Sequence, residues 1–109
     1  MITWEEFSKI DIRTGTIVEV KDFAAAKKPA YQLTIDFGPL GIKQSSAQLK
    51  QGYKPEDLMG RQILAVVNFP PKQIANFFSE CLVLGVYDKN KQVILLATDK
   101  PVDNGQPVG

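Results

Sequence analysis

One apolar run, residues 63–67, restricts the possible folds of this chain more than any other segment. It reads Ile-Leu-Ala-Val-Val and is followed by Asn68, Phe69 and a pair of prolines. A continuous apolar run predicts a strand buried on both faces, because a half-exposed strand alternates apolar and polar side chains. Prolines cannot donate to a sheet ladder, so the strand is expected to end there. Its exit either presents Asn68, Phe69 and Lys72 as a binding site or is an ordinary loop.

Two earlier segments alternate with period two, which predicts half-buried strands at residues 12–21 and 31–37. In the first of these strands the alternation puts Thr14 and Val18 on one face and Ile17 on the other. Gly15 within this strand predicts a bulge or a bend, which helps a sheet to curl into a barrel. Apolar strands are further expected at residues 81–87 and 92–97, on either side of a turn.

Short helices are indicated at two places. Thr3 and Glu6 have the spacing of a capping box, which predicts a helix reaching about Lys9. A helix this short is marginal alone, so its aromatic side has to dock on its own domain or on a second copy. Residues 54–60 predict a second helix, with a proline at its first position and a glycine at its end.

Residues 42–48 suit a third strand but are polar on both faces. Buried polar groups require hydrogen-bond partners, so this strand is expected to line a wet recognition groove or to form a plain edge. The loop at residues 22–30 contains the adjacent pair Lys27 and Lys28, which either meets phosphates or is simply solvated. The connection at residues 69–79 adds three phenylalanines.

This order of elements predicts an all-β OB-fold, with a five-stranded barrel and a short helix between strands three and four. We expect a single domain over residues 1–109, with an N-terminal helix within 1–10 and a C-terminal extension at 98–109. In this fold the two loops and the polar strand converge, so lysines would meet phosphates and a phenylalanine would stack on a base or hold an apolar peptide side chain.

The composition restricts the classes of function that this chain is expected to have. The net charge is +1 and there is no histidine, so no global field attracts polyanions and the usual general base is missing. No catalytic pairing, phosphate loop or metal-ligand spacing is found, so we expect neither an enzyme nor a cofactor or metal site.

Cys81, the single cysteine, is expected to be a core thiol in a reducing compartment. We expect a cytoplasmic protein without membrane insertion, because no signal-like or spanning run is present.

The late apolar strands need cover on both faces, which a single small barrel does not provide. A second subunit supplies that cover, because homodimer interfaces resemble a core cut in half. We therefore expect a homodimer.

With these residues assembled, the chain resembles the tRNA-binding domain family, an OB-fold module of tRNA-binding proteins and some aminoacyl-tRNA synthetases. The resemblance rests on residues 10–15, on Asn68 at its strand end, and on the pair Ser79 and Glu80. Residues 41–48, 66–71 and 79–85 are also similar to signature segments of the small bacterial export-related chaperones within that family.

The resemblance implies a homodimer built partly by both terminal extensions, binding of unfolded or exported precursor polypeptides, and cooperation with the secretion motor. In synthetase-like members the same surface binds tRNA. By position, the resemblance assigns to that surface Arg13, Lys43, Gln44, Ser45, Ser46, Asn68, Ser79 and Glu80. The loops add Lys27, Lys28, Phe69, Lys72 and Phe77.

We expect a dimeric secretion chaperone. The alternatives are a tRNA-binding module that uses Lys27, Lys28, Lys43 and Lys72 on phosphates, and a purely structural dimerisation domain. With a net charge near zero, tRNA affinity is expected to be modest and sensitive to salt.

Overall fold

The computed structural model describes all 109 residues and contains a nearly closed antiparallel barrel of five strands. The helices and strands follow the chain as α1 Trp4–Ser8, β1 Ile12–Asp22, β2 Tyr31–Asp36, β3 Ile42–Ala47, α2 Pro55–Leu58, β4 Gln62–Val66, β5 Lys72–Ile74, β6 Phe77–Ser79, β7 Leu82–Val83, β8 Gly85–Tyr87 and β9 Val93–Leu95. The barrel order is β3-β2-β1-β4-β7, and β5–β6 and β8–β9 form separate hairpins. The predicted OB-type fold, with a helix between the third and fourth strands, is confirmed.

The core lies inside the barrel, and α2 packs against β1 and contributes Leu58 to it. Its fully buried apolar side chains come from β1, β2, the residue directly after β2, α2 and β4, and include Ile17, Leu33, Ile35, Phe37, Leu58 and Ile63. Cys81 belongs to the same cluster, so the predicted core thiol is confirmed. None of the helices has the length and hydrophobicity that crossing a bilayer requires.

The register of β1 changes at a bulge. Ile17 pairs with Ile35, but the next pair joins Glu19 to Thr34, which leaves Val18 without a partner. Beyond the bulge the side chains exchange faces, so Ile17 and Val20 both pack on the core while Val18 is 44% exposed. The uninterrupted alternation predicted for this strand is therefore wrong, because a bulge reverses it.

The bulge in β1 lies at Val18 and not at Gly15, where the sequence predicted a bulge or a bend. Gly15 instead allows close packing against Ile35 and Phe37. A Cβ atom at Gly15 would lie 2.7 Å from Ile35 Cγ2 and 2.7 Å from the Phe37 ring. The absence of a side chain at this position therefore lets β2 and its continuation cross tightly over β1.

The apolar run at residues 63–67 is buried at Ile63, Ala65 and Val66, whereas its other two residues are half-buried. The run at residues 81–87 is covered less well, since Leu82 is 49% and Val86 is 53% exposed. One face of the late strands therefore remains uncovered within a single chain.

Both chain ends are tied to the barrel by hydrogen bonds. Thr3 and Glu6 form the predicted capping box of α1, although α1 buries no residue. The C-terminal segment runs along the first half of β1: Gly105 N–H donates to Thr14 O at 2.7 Å and Val108 N–H donates to Ile12 O at 2.9 Å. The C-terminal segment therefore bonds to the part of β1 that does not pair with β2.

Candidate functional site

The loop between β1 and β2 packs against the β5–β6 hairpin. Phe23 of the loop meets Phe77 of β6 edge to face, with ring centroids 5.3 Å apart, and Ala30 completes this small buried cluster. The predicted convergence of the two loops is therefore present in the structure. Since β6 also contacts β3, the two loops and the polar strand form one continuous region.

The polar strand β3 is joined at its outer edge to the segment after β6. Gln44 N–H donates to Glu80 Oε1 at 2.9 Å, and Glu80 N–H donates to Gln44 O at 2.8 Å. Ser46 N–H donates to Ser79 Oγ at 3.1 Å. Gln44, Ser46, Ser79 and Glu80 are thus brought together, and their contacts close part of the barrel.

The predicted site residues of β3 alternate between the two faces of the strand. Gln44 and Ser46 lie on the outer face, while Lys43 and Ser45 turn inward. Ser45 is 1% exposed and its hydroxyl donates to Cys81 O at 3.0 Å. Ser45 is therefore part of the interior, where a bonded hydroxyl costs little.

Burial raises the pKa of the Cys81 thiol to about 11, and the positive charge of Lys43 opposes that rise. Lys43 is half-buried near this thiol. By contrast, Lys27, Lys28 and Lys72 are exposed and have no ion-pair partner. Of the four lysines predicted to contact phosphates, these three therefore have ammonium groups that are available to an anionic ligand.

Arg13 and Asn68 hold the chain ends to the barrel. Arg13 Nε lies 2.6 Å from Asp11 Oδ1, and Arg13 Nη1 donates to Gly105 O at 2.9 Å. Asn68 Oδ1 accepts from Asp11 N–H at 3.0 Å, while its Nδ2 donates to Lys9 O at 2.7 Å. The structure therefore bonds both side chains to residues near the chain ends, although Asn68 directly precedes the loop at 69–79.

The aromatic residues of the loop at 69–79 separate into buried and exposed rings. Phe77 is 7% exposed and belongs to the small core, whereas Phe69 is 53% and Phe78 is 50% exposed. Phe77 therefore has no free ring face for a ligand, and Phe78 is an available ring that our sequence-based assignment omitted. Two adjacent phenylalanines in a strand signal one inward and one outward ring, but the sequence does not say which is which.

A groove of about 590 Å³ lies between the end of β3 and the chain from Leu82 to Tyr87. It was not anticipated from the sequence, because it forms where strands distant in the chain fail to pair. No group of three or more acidic, cysteine or histidine residues is arranged to hold a metal ion.

Comparison with known proteins gives one family and two kinds of relative. Residues 12–107 match the family described as putative tRNA binding domain. The chain is 54% identical to the CsaA chaperone protein from Picrophilus torridus, with a TM-score of 0.94 and all of both chains covered. It is 49% identical to the chaperone CsaA from Bacillus anthracis, with a TM-score of 0.94 over 100% of this chain and 99% of that one.

Curated relatives include methionine–tRNA ligases. That of Pyrococcus furiosus is 41% identical over 107 residues, and that of Methanococcoides burtonii is 35% identical over 105 residues. These matches cover 98% and 96% of this chain but only 14% and 15% of the ligases.

Proposed function

Because the chain belongs to the putative tRNA-binding domain family, as the sequence resemblance indicated, we propose that it acts as a dimeric chaperone of the CsaA type that binds unfolded polypeptides. The observation that carries this proposal is the match to two CsaA chaperones over essentially the whole of both chains. The ligases share only one segment of their length with this chain, so they support the tRNA-binding ancestry of the fold and not a ligase activity.

The proposed clients are unfolded or precursor polypeptides bound before export, with the general secretion motor as partner and the cytoplasm as location. The test is suppression of aggregation of a chemically unfolded client, compared with an inert protein of equal size. Protection that rises with the chain-to-client ratio supports the proposal. Protection no better than that of the inert protein removes it.

The dimer is proposed from uncovered apolar surface. Trp4 is 82% exposed on a helix that buries nothing, and Val86 and Ile94 pair across β8 and β9 while remaining 53% and 42% exposed. Water contact at such a patch is unfavourable by roughly 25 cal/mol per Å² of apolar area, so a second copy is the expected cover.

Light scattering tests the dimer, for which we expect twice the 12.1 kDa chain mass. Val86→Asp should shift the mass toward that of one chain, because a carboxylate at an apolar interface is left unpaired. Val18→Asp is the matched control, since Val18 is similarly exposed at the bulge of β1. A single-chain mass for the unaltered protein contradicts the dimer.

A second candidate function is tRNA binding. It is favoured by the three exposed lysines Lys27, Lys28 and Lys72, which lie on the two converging loops beside the outer face of β3. Replacing all three with alanine should weaken tRNA binding and flatten its dependence on salt, because each phosphate contact adds about 0.7 to 0.9 to the salt slope. Lys100→Ala is the control, and unchanged binding by the triple variant would exclude this surface. A structural dimerisation domain, the third alternative, predicts that neither tRNA nor polypeptide binds.

A further inference from the structure

The barrel has an open seam. Its sheet order ends with β3 on one side and β7 on the other, and these two edge strands touch without forming a ladder. The contacts of Ser79 and Glu80 close the seam only as far as Ser46. Beyond Ser46 the two edges separate, and the groove of about 590 Å³ occupies the space between them.

One side of the seam is the outer edge of the chain that contains β7 and β8. Leu84 N–H donates to Leu64 O of β4 at 2.9 Å, and Leu84 O accepts from Leu96 N–H at 3.2 Å. Further along, Asp88 N–H donates to Gln92 O at 2.9 Å. The even-numbered residues therefore direct their backbone groups toward β4 and β9.

In an extended strand successive residues direct their backbone groups to opposite edges. Val83, Gly85 and Tyr87 therefore direct N–H and C=O away from β4 and β9, toward an edge with which no strand pairs. On the opposite side of the groove, Gln48 follows the end of β3 and its backbone makes no hydrogen bond within the chain. The groove thus lies between the unpaired outer edge of Val83, Gly85 and Tyr87 and the turn that follows β3, in which Leu49 N–H donates to Ala47 O at 3.0 Å.

The side chains of the groove combine an apolar floor with a basic rim. Val83, Val93 and Leu95 line it and pack on the core. Lys28 and Lys91 are exposed at its rim without ion-pair partners, and no acidic residue lines it. This arrangement complements apolar side chains flanked by carboxylates.

We propose that this seam accepts an extended polypeptide segment, which adds as a strand along Val83, Gly85 and Tyr87. The segment places alternate apolar side chains on the floor and an acidic side chain near Lys28 or Lys91. Unpaired strand edges select a polypeptide, because strand addition uses the N–H and C=O groups of a main chain. This inference rests on the proposed polypeptide binding and names the site and the ligand chemistry for it.

The probe is a fluorescent peptide of alternating valine and threonine with aspartate at both ends, and binding is measured by fluorescence anisotropy. N-methylation of alternate amides should weaken binding by about tenfold or more, since it removes donors needed for strand addition. Equal affinity of the methylated and unmodified peptides would overturn strand addition.

The place of binding is tested by charge reversal and by amide exchange. Lys28→Glu combined with Lys91→Glu should weaken the peptide by roughly tenfold, whereas Lys100→Glu, outside the groove, should leave affinity unchanged. Amide exchange of Gly85 and Tyr87 should slow when the peptide is added. Peptide affinity that is unchanged by the double reversal would overturn the inference. Amide exchange that already slows when the protein concentration alone is raised would also overturn it, because a second copy of the chain then fills the seam.

Client aggregation separates this inference from the function on which it rests. Loss of protection in the Lys28→Glu and Lys91→Glu variant supports both. Full protection by that variant leaves the chaperone function in place and overturns the seam as its site. If the unaltered protein binds the peptide at the seam but fails to protect clients from aggregation, the seam is supported as a peptide site and the chaperone function is overturned.

Discussion

Phe77 and Phe78 are neighbours in β6 with opposite expected roles. Replacing a well-buried phenylalanine with alanine costs about 3–5 kcal/mol of unfolding free energy. Phe77 belongs to a cluster of only three buried residues, so we expect Phe77→Ala to lose about 3 kcal/mol of unfolding free energy, the lower end of that range. This loss includes the contribution of its edge-to-face contact with Phe23. For a domain of this size that loss lowers the melting temperature by roughly 12 °C or more.

Phe78→Ala is the matched control, because Phe78 is 50% exposed and surface substitutions change stability by at most about 0.5 kcal/mol. Urea unfolding followed by far-ultraviolet circular dichroism measures both variants at one protein concentration, since dimerisation makes the midpoint depend on concentration. In ligand binding the order should reverse, with Phe78→Ala losing about 1 kcal/mol or more if its ring stacks on a base or an apolar side chain. Equal loss of stability in the two variants would refute the assignment of inward and outward rings.

Three further predictions concern the scaffold. Gly15→Ala should lower the unfolding free energy by about 1–3 kcal/mol through overpacking, while Gly52→Ala, whose added Cβ would meet nothing closer than 3.9 Å, should be neutral or slightly stabilising in the same urea assay. The unfolding free energy should fall as pH rises from 9.0 toward about 11, because the Cys81 thiol ionises at lower pH in the unfolded protein than in the folded one. Urea midpoints measured across that range should fall less for Cys81→Ala. Asn68→Ala should cost about 1–2 kcal/mol through two lost hydrogen bonds, and Asn76→Ala, an exposed asparagine, should cost almost nothing in thermal melts.

The features that could be predicted from the sequence depend on local chemistry or on topology. The capping box of Thr3 and Glu6 follows from side chains three residues apart, and the structure contains it. The convergence of the two loops follows from strand order once the barrel is recognised. The bulge at Val18 could not be predicted, because it is defined by pairing with β2 and leaves no mark on the alternation of β1 itself.

The candidate site was less predictable for a related reason. Asn68 marks a strand end in the sequence, but its partners Lys9 and Asp11 lie more than fifty residues away, so its structural role depends on tertiary packing. Similarly, the polar character of β3 indicated either a wet groove or an edge, and the sequence could not show that Ser45 faces the interior and bonds Cys81 O.

The polar residues of β3 explain why the seam opens where it does. A barrel strand can lose its ladder partner only if its outward backbone groups find other acceptors and donors. Glu80 and Ser79 supply these to Gln44 and Ser46, and no equivalent residue follows for Gln48. Closure therefore stops at Ser46, leaving the groove. Lys28 lies on the rim of that groove and beside Lys27 on the loop proposed for phosphate contact. The two proposed ligand surfaces therefore meet at Lys28, so a polypeptide in the seam and an RNA on the loops would compete for its charge.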